Sequence, residues 1–144
     1  MPRIKKIIKI LAVPITLVIF ILSGCRDDIT DPNNKGGNVN EPIILSYFDS
    51  FSFYINADEI TYDLVEQTNL SEAESVIFVS VDNYKSGYVE VIVSSNNYKS
   101  LYAERFTKKT AGKYENISGY VPDRLVIQFY NFTGNLRVEL ATAY

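Results

Sequence analysis

Few residues of this chain are suited to chemistry, and the side chain most often used for it is missing. The sequence contains no histidine, which removes the usual general base near neutral pH, the commonest zinc ligand and the Ser-His and Cys-His nucleophile pairs. Its one cysteine, Cys25, cannot form an intrachain disulfide. The candidates that remain are this thiol, the carboxylates and the tyrosines, and we expect no cofactor and no metal.

Cys25 follows an apolar run at the start of the chain. Residues 1–9 carry four cations and no anion, and residues 10–22 are uncharged and mostly apolar. A basic head, a short apolar stretch and small residues at its end are typical of a secretory signal. The stretch is short for a transmembrane helix, which needs about 20 apolar residues. A permanent N-terminal membrane anchor is the alternative.

The segment Leu22-Ser23-Gly24-Cys25 resembles the lipobox of bacterial lipoprotein precursors. This resemblance implies that signal peptidase II removes residues 1–24 and that the Cys25 thiol receives diacylglycerol. The new amino group of Cys25 is then usually acylated as well. Three acyl chains give stable attachment to a membrane, since each buried CH₂ contributes about 0.8 kcal/mol.

The next three residues, Arg26, Asp27 and Asp28, extend the resemblance. They are similar to the surface-export signal of Bacteroidetes-type lipoproteins, in which a basic or polar residue and then two acidic residues follow the cysteine. This implies display on the outer membrane at the cell surface. A solvated acidic tether on a periplasm-facing lipoprotein is the alternative.

Composition divides the rest of the chain in two. Residues 25–42 are rich in Pro, Asn, Asp and Gly, so they cannot bury enough apolar surface to become ordered, and we predict a flexible tether. Residues 43–144 form the predicted folded domain. Four of the 14 basic residues precede Cys25, so ten remain against 17 acidic ones, a net charge of −7. A nucleic-acid surface needs the opposite sign, which excludes that partner class.

Alternating apolar and polar residues predict an all-β domain. Phe51, Phe53 and Ile55 alternate with polar neighbours, as in a half-buried strand. Turn residues at 56–59, 82–87 and 132–135 separate such segments. We therefore predict an antiparallel β-sandwich of seven or eight short strands, either immunoglobulin-like or a jelly roll. The predicted strands cover 51–55, 60–64, 75–81, 88–93, 100–106, 113–118, 125–130 and 136–140.

Tyrosines are the candidate binding residues of this domain. The chain has 11 tyrosines and no tryptophan, and many of the tyrosines stand beside Asn, Ser, Lys or Asp. Rigid aromatic faces flanked by hydrogen-bonding groups suit sugar rings and protein partners. Ordinary packing on a sheet is the alternative. The predicted surface contains Tyr84, Tyr88, Tyr98, Tyr102 and Tyr130.

The acidic residues offer weaker candidates. Two dipeptides, Asp58-Glu59 and Asp82-Asn83, supply oxygen ligands for Ca²⁺, but two dipeptides do not fill its six to eight positions. Paired carboxylates are the other chemistry available without histidine. Glycosidase chemistry needs two of them at a set separation in a cleft, which a domain of this size hardly accommodates. The carboxylates on predicted strands are Glu90, Glu104, Glu115 and Glu139.

Two functional hypotheses follow from the sequence. The first is a non-catalytic, lipid-anchored module on the outer membrane that binds a partner protein, a glycan or another envelope component. The second is a periplasm-facing structural or assembly lipoprotein packed against another envelope subunit. A large apolar patch on the outer faces that carry Phe78, Ile92 and Val126 would favour the second hypothesis. We do not expect an enzyme.

Overall fold

The computed structural model describes residues 37–143, which contain strands and no helix. No helix in this part of the chain is long and apolar enough to cross a membrane. The predicted signal peptide, Cys25 and the predicted export residues Arg26, Asp27 and Asp28 lie outside the described residues. The six strands are β1 (Ile43–Tyr47), β2 (Ser50–Gln67), β3 (Ser75–Ser94), β4 (Ser100–Phe106), β5 (Thr110–Ile117) and β6 (Arg124–Thr142).

All strand pairs are antiparallel and belong to one sheet. The order along the sheet is β1-β2-β6-β3-β4, and β5 pairs with the other half of β3. The all-β antiparallel prediction is therefore confirmed, with an open, sandwich-like arrangement. The two predicted topologies each have two separate sheets. Here the two layers are the halves of one sheet that is folded over on itself.

Three strands are much longer than predicted, and this explains why six strands replace seven or eight. The segments 56–59, 82–87 and 132–135, predicted as turns between strands, lie inside β2, β3 and β6. The chain does not reverse there, because register shifts between Ala57 and Ile60 and between Asp82 and Ser86 bend the strands instead. β-Bulges have this effect, since the extra residue kinks the strand and increases its twist.

The residues at the bends have the backbone conformation that turns also require. Glu59, Asn83 and Asn131 have φ of 51°, 49° and 44°, and Gly87 has φ of 75°. The bends lie side by side, because Ala57 pairs with Gly134 and Ser86 pairs with Thr133. The sheet therefore folds along one line that crosses its three central strands.

This fold line divides the sheet into two layers. The first layer contains β1, β5 and residues 50–57, 75–82 and 134–142. The second layer contains β4 and residues 60–67, 86–94 and 124–132. The inner faces of the layers meet in one core, where the Phe53 and Phe129 ring centroids are 6.5 Å apart. Burying an aromatic side chain of this kind contributes about 1.5–3 kcal/mol.

The predicted inward residues of the central strands are confirmed. Phe51, Phe53 and Ile55 are at most 2% exposed, and so are Ile127 and Phe129. In β4 the inward residues are Tyr102 and Phe106, at 6% and 3% exposure. β4 therefore buries Tyr102, which the sequence predicts to lie on a binding surface.

The described domain begins before Ile43. Val39 forms a parallel bridge with Asn56, and the Asn40 backbone N–H donates to the Asn56 carbonyl at 2.8 Å. The Asn40 side chain also bonds both backbone groups of Asp58, at 2.7 and 3.0 Å. These contacts fix Val39 and Asn40 to β2, although the sequence analysis assigns both residues to the tether.

A hydrogen-bonded cluster joins the two layers where β4 approaches β5. Lys113 Nζ lies 2.6 Å from Glu104 Oε2, and the buried Tyr102 hydroxyl donates to the same oxygen at 2.8 Å. Partial burial opposes ionisation of Glu104, but the bonds from Lys113 and Tyr102 more than offset it and lower the pKa of the Glu104 carboxyl. Burial, with the hydrogen bond to Glu104, raises the pKa of Tyr102, so its hydroxyl remains a donor.

The close approach at the fold line predicts a costly glycine substitution. A Cβ atom on Gly87 would lie 2.2 Å from the Asn131 carbonyl oxygen, and φ there is positive. We expect Gly87→Ala to lower the free energy of unfolding by about 2 kcal/mol or more, measured by urea denaturation. Gly119→Ala is the matched control, because Gly119 also has positive φ but no atom lies within 4 Å of its added Cβ. Equal losses in the two variants would contradict the close approach.

The Glu104 cluster predicts a pH-dependent contribution to stability. Because folding lowers the pKa of Glu104, its contribution is present above the usual glutamate value of about 4.3 and is lost as pH falls through the folded-state pKa. Glu104→Gln should therefore destabilise the protein at pH 7, and the difference from the parent should shrink in acid. Denaturation curves at several pH values measure this. Glu115→Gln, which leaves the Tyr102 bond in place, should cost less; a constant deficit for Glu104→Gln at every pH would contradict the assignment.

Candidate functional site

Two of the five predicted tyrosines do not lie on an exposed surface. Tyr102 is 6% exposed and faces the core, because β4 places it opposite the inward Val93 of β3. Tyr84 is half-buried at the fold line, where its ring packs on Phe132 with centroids 6.3 Å apart. Its hydroxyl donates to the Gly87 carbonyl at 2.9 Å. Both residues stabilise the fold and are removed from the predicted binding surface.

Tyr88 and Tyr130 do come together, on the outer face of the second layer. Their rings stack with centroids 5.1 Å apart and an angle of 15° between the planes. The Arg105 guanidinium lies over the Tyr88 ring at 4.5 Å and also pairs with Glu90 at 2.9 Å. This cluster, the tyrosine pair, leaves Tyr130 52% exposed.

Tyr98 is remote from this pair. It is 78% exposed and lies beyond β3, where the Arg124 guanidinium sits 5.6 Å from its ring. Arg124 and Tyr130 are six residues apart on the same strand, which corresponds to about 20 Å. The structure thus brings together only two of the five predicted tyrosines.

The acidic dipeptides lie at the bends of β2 and β3. Asp58-Glu59 lies at the β2 bulge, where the Glu59 backbone N–H donates to Thr133 Oγ1 at 2.9 Å. Asp82 lies at the β3 bulge, with its carboxylate 3.8 Å from Lys109 Nζ. Within residues 37–143 no group of three or more His, Cys, Asp or Glu side chains is arranged to hold a metal ion.

Each of the four strand carboxylates is engaged in an ion pair. Glu90 pairs with Arg105, Glu139 pairs with Arg137, and Glu104 and Glu115 share Lys113. A general acid in glycosidase chemistry needs a raised pKa. The pKa of Glu104 is lowered, which is the opposite perturbation.

The structure reveals a candidate site that the sequence analysis missed. It is a half-open groove of about 460 Å³ on the outer face of the first layer. Three adjacent strands form its floor, because Tyr54 pairs with Arg137 and Arg137 pairs with Ser80. The edge strand β1 forms one wall. The groove is lined by Ile43, Leu45, Ser52, Tyr54, Ser80, Asp82, Asn135, Arg137 and Glu139.

Arg137 is held in place at the centre of this groove. Its Nε and Nη2 donate to Glu139 Oε1 at 3.0 and 2.5 Å, and its guanidinium lies 5.5 Å from the centre of the Phe78 ring. Phe78 in turn packs on Tyr114 of β5, with centroids 4.7 Å apart. The guanidinium therefore bonds Glu139 through two nitrogens and lies near one aromatic ring, while the side chain stays 53% exposed.

Tyr54 supplies a neutral hydroxyl to the same groove. Burial, followed by the negative charge of Asp82, raises the pKa of the Tyr54 hydroxyl. The group therefore keeps its proton well above neutral pH and can both donate and accept a hydrogen bond. Together the groove offers fixed donors, carboxylate acceptors and hydroxyls beside the apolar side chains of Ile43 and Leu45.

The sequence predicts that individual groove residues are exposed, but it does not predict that they lie together. Ser52 and Tyr54 alternate with buried phenylalanines, and Arg137 and Glu139 alternate with buried residues of β6. This alternation predicts that each pair is exposed. Only the long-range register places the two pairs on neighbouring strands, and single-strand periodicity does not contain that register.

The sequence comparisons identify no family for this chain. No family model matches the sequence, and a search of curated proteins finds no match. Among solved structures, the chain is similar to a Bacillus endospore appendage protein that forms disulfide-linked pili, at 12% identity and a TM-score of 0.42, covering 72% of this chain and 93% of that chain.

Two carbohydrate-binding modules are also similar to it. A CBM4 domain is 10% identical with a TM-score of 0.34, covering 72% of this chain and 87% of that chain. A family 29 carbohydrate-binding module from Piromyces equi is 12% identical with a TM-score of 0.37, covering 69% and 75%. At such low identities and TM-scores these similarities assign neither a ligand nor an activity to this chain.

Proposed function

We propose that this protein is a lipid-anchored envelope lipoprotein whose β domain binds a glycan, without catalysis, at the outer surface of the outer membrane. The observation that carries the binding role is the groove on the first layer. It is concave, its central guanidinium is paired with Glu139, and its polar groups converge from three strands. These are the properties of small-ligand sites, which combine an apolar surface with a few positioned polar groups.

A sugar is the ligand whose chemistry fits this lining best. Each sugar hydroxyl both donates and accepts, and the groove offers Arg137 as donor, Asp82 and Glu139 as acceptors, and hydroxyls that do both. Ile43 and Leu45 provide apolar surface for the C–H face of a sugar ring. The groove is open to solvent, so a ligand longer than one ring can extend beyond it.

The groove carboxylates support the binding role as hydrogen-bond acceptors. Glu139 is paired with Arg137, and Asp82 lies near Lys109. A carboxylate has about four acceptor positions, so each of these groups keeps positions for the hydroxyls of a ligand.

The tyrosine pair is the second candidate surface on this domain. Tyr88 and Tyr130 turn one face of each ring toward the other, and the Arg105 guanidinium lies over Tyr88. These contacts occupy ring surface that a sugar would otherwise stack on. We therefore assign the ligand to the groove and use the tyrosine pair as the internal control.

The location rests on the start of the chain. The lipobox-like segment ending at Cys25 supports acylation, and Arg26, Asp27 and Asp28 support export to the cell surface. The acyl chains would be the contact with the membrane. A tether of polar residues then separates the anchor from the domain, whose first described contacts with β2 are those of Val39 and Asn40.

The alternative, a periplasm-facing assembly lipoprotein, requires a large apolar patch on the outer faces. Phe78, Ile92 and Val126 are each half-buried in this structure. Phe78 lies against Tyr114 and Arg137. Val126 pairs with Ile92 and with Val65, which is 49% exposed, so these three form a short apolar row on the outer face of the second layer. This row is the feature that supports the alternative, whereas the groove supports the binding role.

The groove predicts which substitutions weaken glycan binding. Arg137→Ala should weaken the affinity for a glycan selected on an array by about 10- to 100-fold, since a hydrogen bond to a charged group contributes about 1.5–3 kcal/mol. Titration calorimetry measures the change. Gln128→Ala is the matched control, because Gln128 is a polar residue of the same strand on the outer face of the second layer. Loss of binding in the control with retention in Arg137→Ala would contradict the assignment.

The lipid anchor predicts the behaviour of a cysteine variant. Cys25→Ser removes the thiol that would carry diacylglycerol, so the protein should leave the membrane fraction, and it should no longer incorporate labelled palmitate. In the parent, protease added to intact cells should degrade the domain. A domain that survives until the outer membrane is permeabilised would contradict surface display, and a membrane-bound Cys25→Ser protein would contradict lipidation.

A further inference from the structure

The exposed apolar side chains of the described domain concentrate at one edge. Ten large hydrophobic residues are exposed in residues 37–143, and five of them surround β1. Phe48 and Tyr47 are 80% and 63% exposed. The other three are Val39, Ile43 and Leu45. This cluster, the β1 edge, is separate from the tyrosine pair and from Tyr98.

The β1 edge also has unpaired backbone groups. Within the described residues β1 pairs only with β2, so alternate backbone N–H and C=O groups point away from the sheet. Proteins usually protect such an edge with charged side chains or bulges. No charged residue occurs from 42 to 48, and only Pro42 at its start gives protection.

The side chains of β1 are arranged to receive a strand. Ile43, Leu45 and Tyr47 pair with Tyr54, Ser52 and Ser50, so all three lie on the outer face of the first layer. Beside Leu45 and Tyr47 is a hollow of about 400 Å³, which the small residues Ser50, Ser52 and Ala141 leave open. An added strand would cover the apolar row and satisfy the free backbone groups together.

We propose that the β1 edge binds an extended segment of a partner protein as an additional β-strand, with alternate apolar side chains between basic residues. The basic residues follow from charge. Glu41 precedes β1, Asp49 follows it, and the mature chain has a net charge of −7. Opposite charges across a strand pair stabilise it, and like charges opposite each other destabilise it.

Other occupants match this edge less well. Two copies paired antiparallel about Leu45 would place Glu41 of each copy opposite Asp49 of the other, which is repulsive. Residues 26–36 of this chain contain two adjacent acidic residues and a proline and lack an alternating apolar pattern. A lipid surface would cover the apolar side chains but would leave the backbone groups of β1 without partners.

A peptide titration tests the proposal with the full chain in detergent micelles. The probe is the fluorescent peptide KTVTVTVTK, followed by fluorescence anisotropy; paired antiparallel about Leu45, its valines lie opposite Ile43, Leu45 and Tyr47 and its lysines opposite Glu41 and Asp49. We expect saturable binding, at least tenfold weaker binding for ETVTVTVTE, and no binding when alternate backbone nitrogens of KTVTVTVTK are methylated. Equal binding of the methylated peptide would overturn the proposal, because strand addition requires those N–H groups. Absence of binding by KTVTVTVTK would overturn it as well.

Two substitutions locate the site on the protein. Tyr47→Lys should weaken the binding of KTVTVTVTK at least tenfold. Tyr98→Lys, at a tyrosine that is 78% exposed against 63% for Tyr47, should leave the affinity unchanged. Neither Tyr47 nor Tyr98 lines the groove, so a loss of peptide binding can be distinguished from a loss of glycan binding. Light scattering gives the oligomeric state. A dimer of the parent protein that becomes a monomer in Tyr47→Lys would overturn the proposal and assign the edge to a second copy of this chain. Cosedimentation with phosphatidylcholine vesicles that Tyr47→Lys abolishes would overturn it in favour of a lipid surface.

Discussion

The positive φ conformation at the fold line is the constraint on which the rest of this structure depends. Glu59, Asn131 and Gly87 bend neighbouring strands at the same level of the sheet. Gly87 passes so close to the Asn131 backbone that no larger residue fits there. Because the bends are aligned, one sheet folds into two layers that share a core. The core in turn fixes which side chains of each long strand face solvent and can meet a ligand.

Periodicity predicted the inner faces of this sheet correctly, since it depends only on neighbouring residues. Phe51 and Phe53 are buried as expected. The turn residues at 56–59, 82–87 and 132–135 also have the predicted local character, because positive φ occurs within or beside each of them. What the sequence does not contain is the continuation of pairing on both sides of each bend. A bulge and a hairpin use the same residue types, and only contacts with distant strands distinguish them.

The same limit explains the candidate site. The abundance of tyrosine in the sequence suggests one binding surface. The positions of the tyrosines, however, depend on strand pairing and on the direction of each side chain. β4 turns Tyr102 inward, and the sheet separates Tyr98 from Tyr130. Conversely, the groove joins residues of β2, β3 and β6 that are far apart in the chain. Its polar residues appear in the sequence as ordinary exposed positions of three strands.

These features describe a module with distinct roles for its parts. The start of the chain supplies the proposed anchor, the fold line shapes the first layer, and the groove is the proposed ligand site. The most direct test of this account is NMR spectroscopy of the ¹⁵N-labelled mature chain titrated with an array-selected glycan. The account predicts that chemical shifts change at Tyr54, Asp82 and Arg137. Changes confined to Tyr88, Gln128 and Tyr130 would contradict it and assign the ligand to the tyrosine pair.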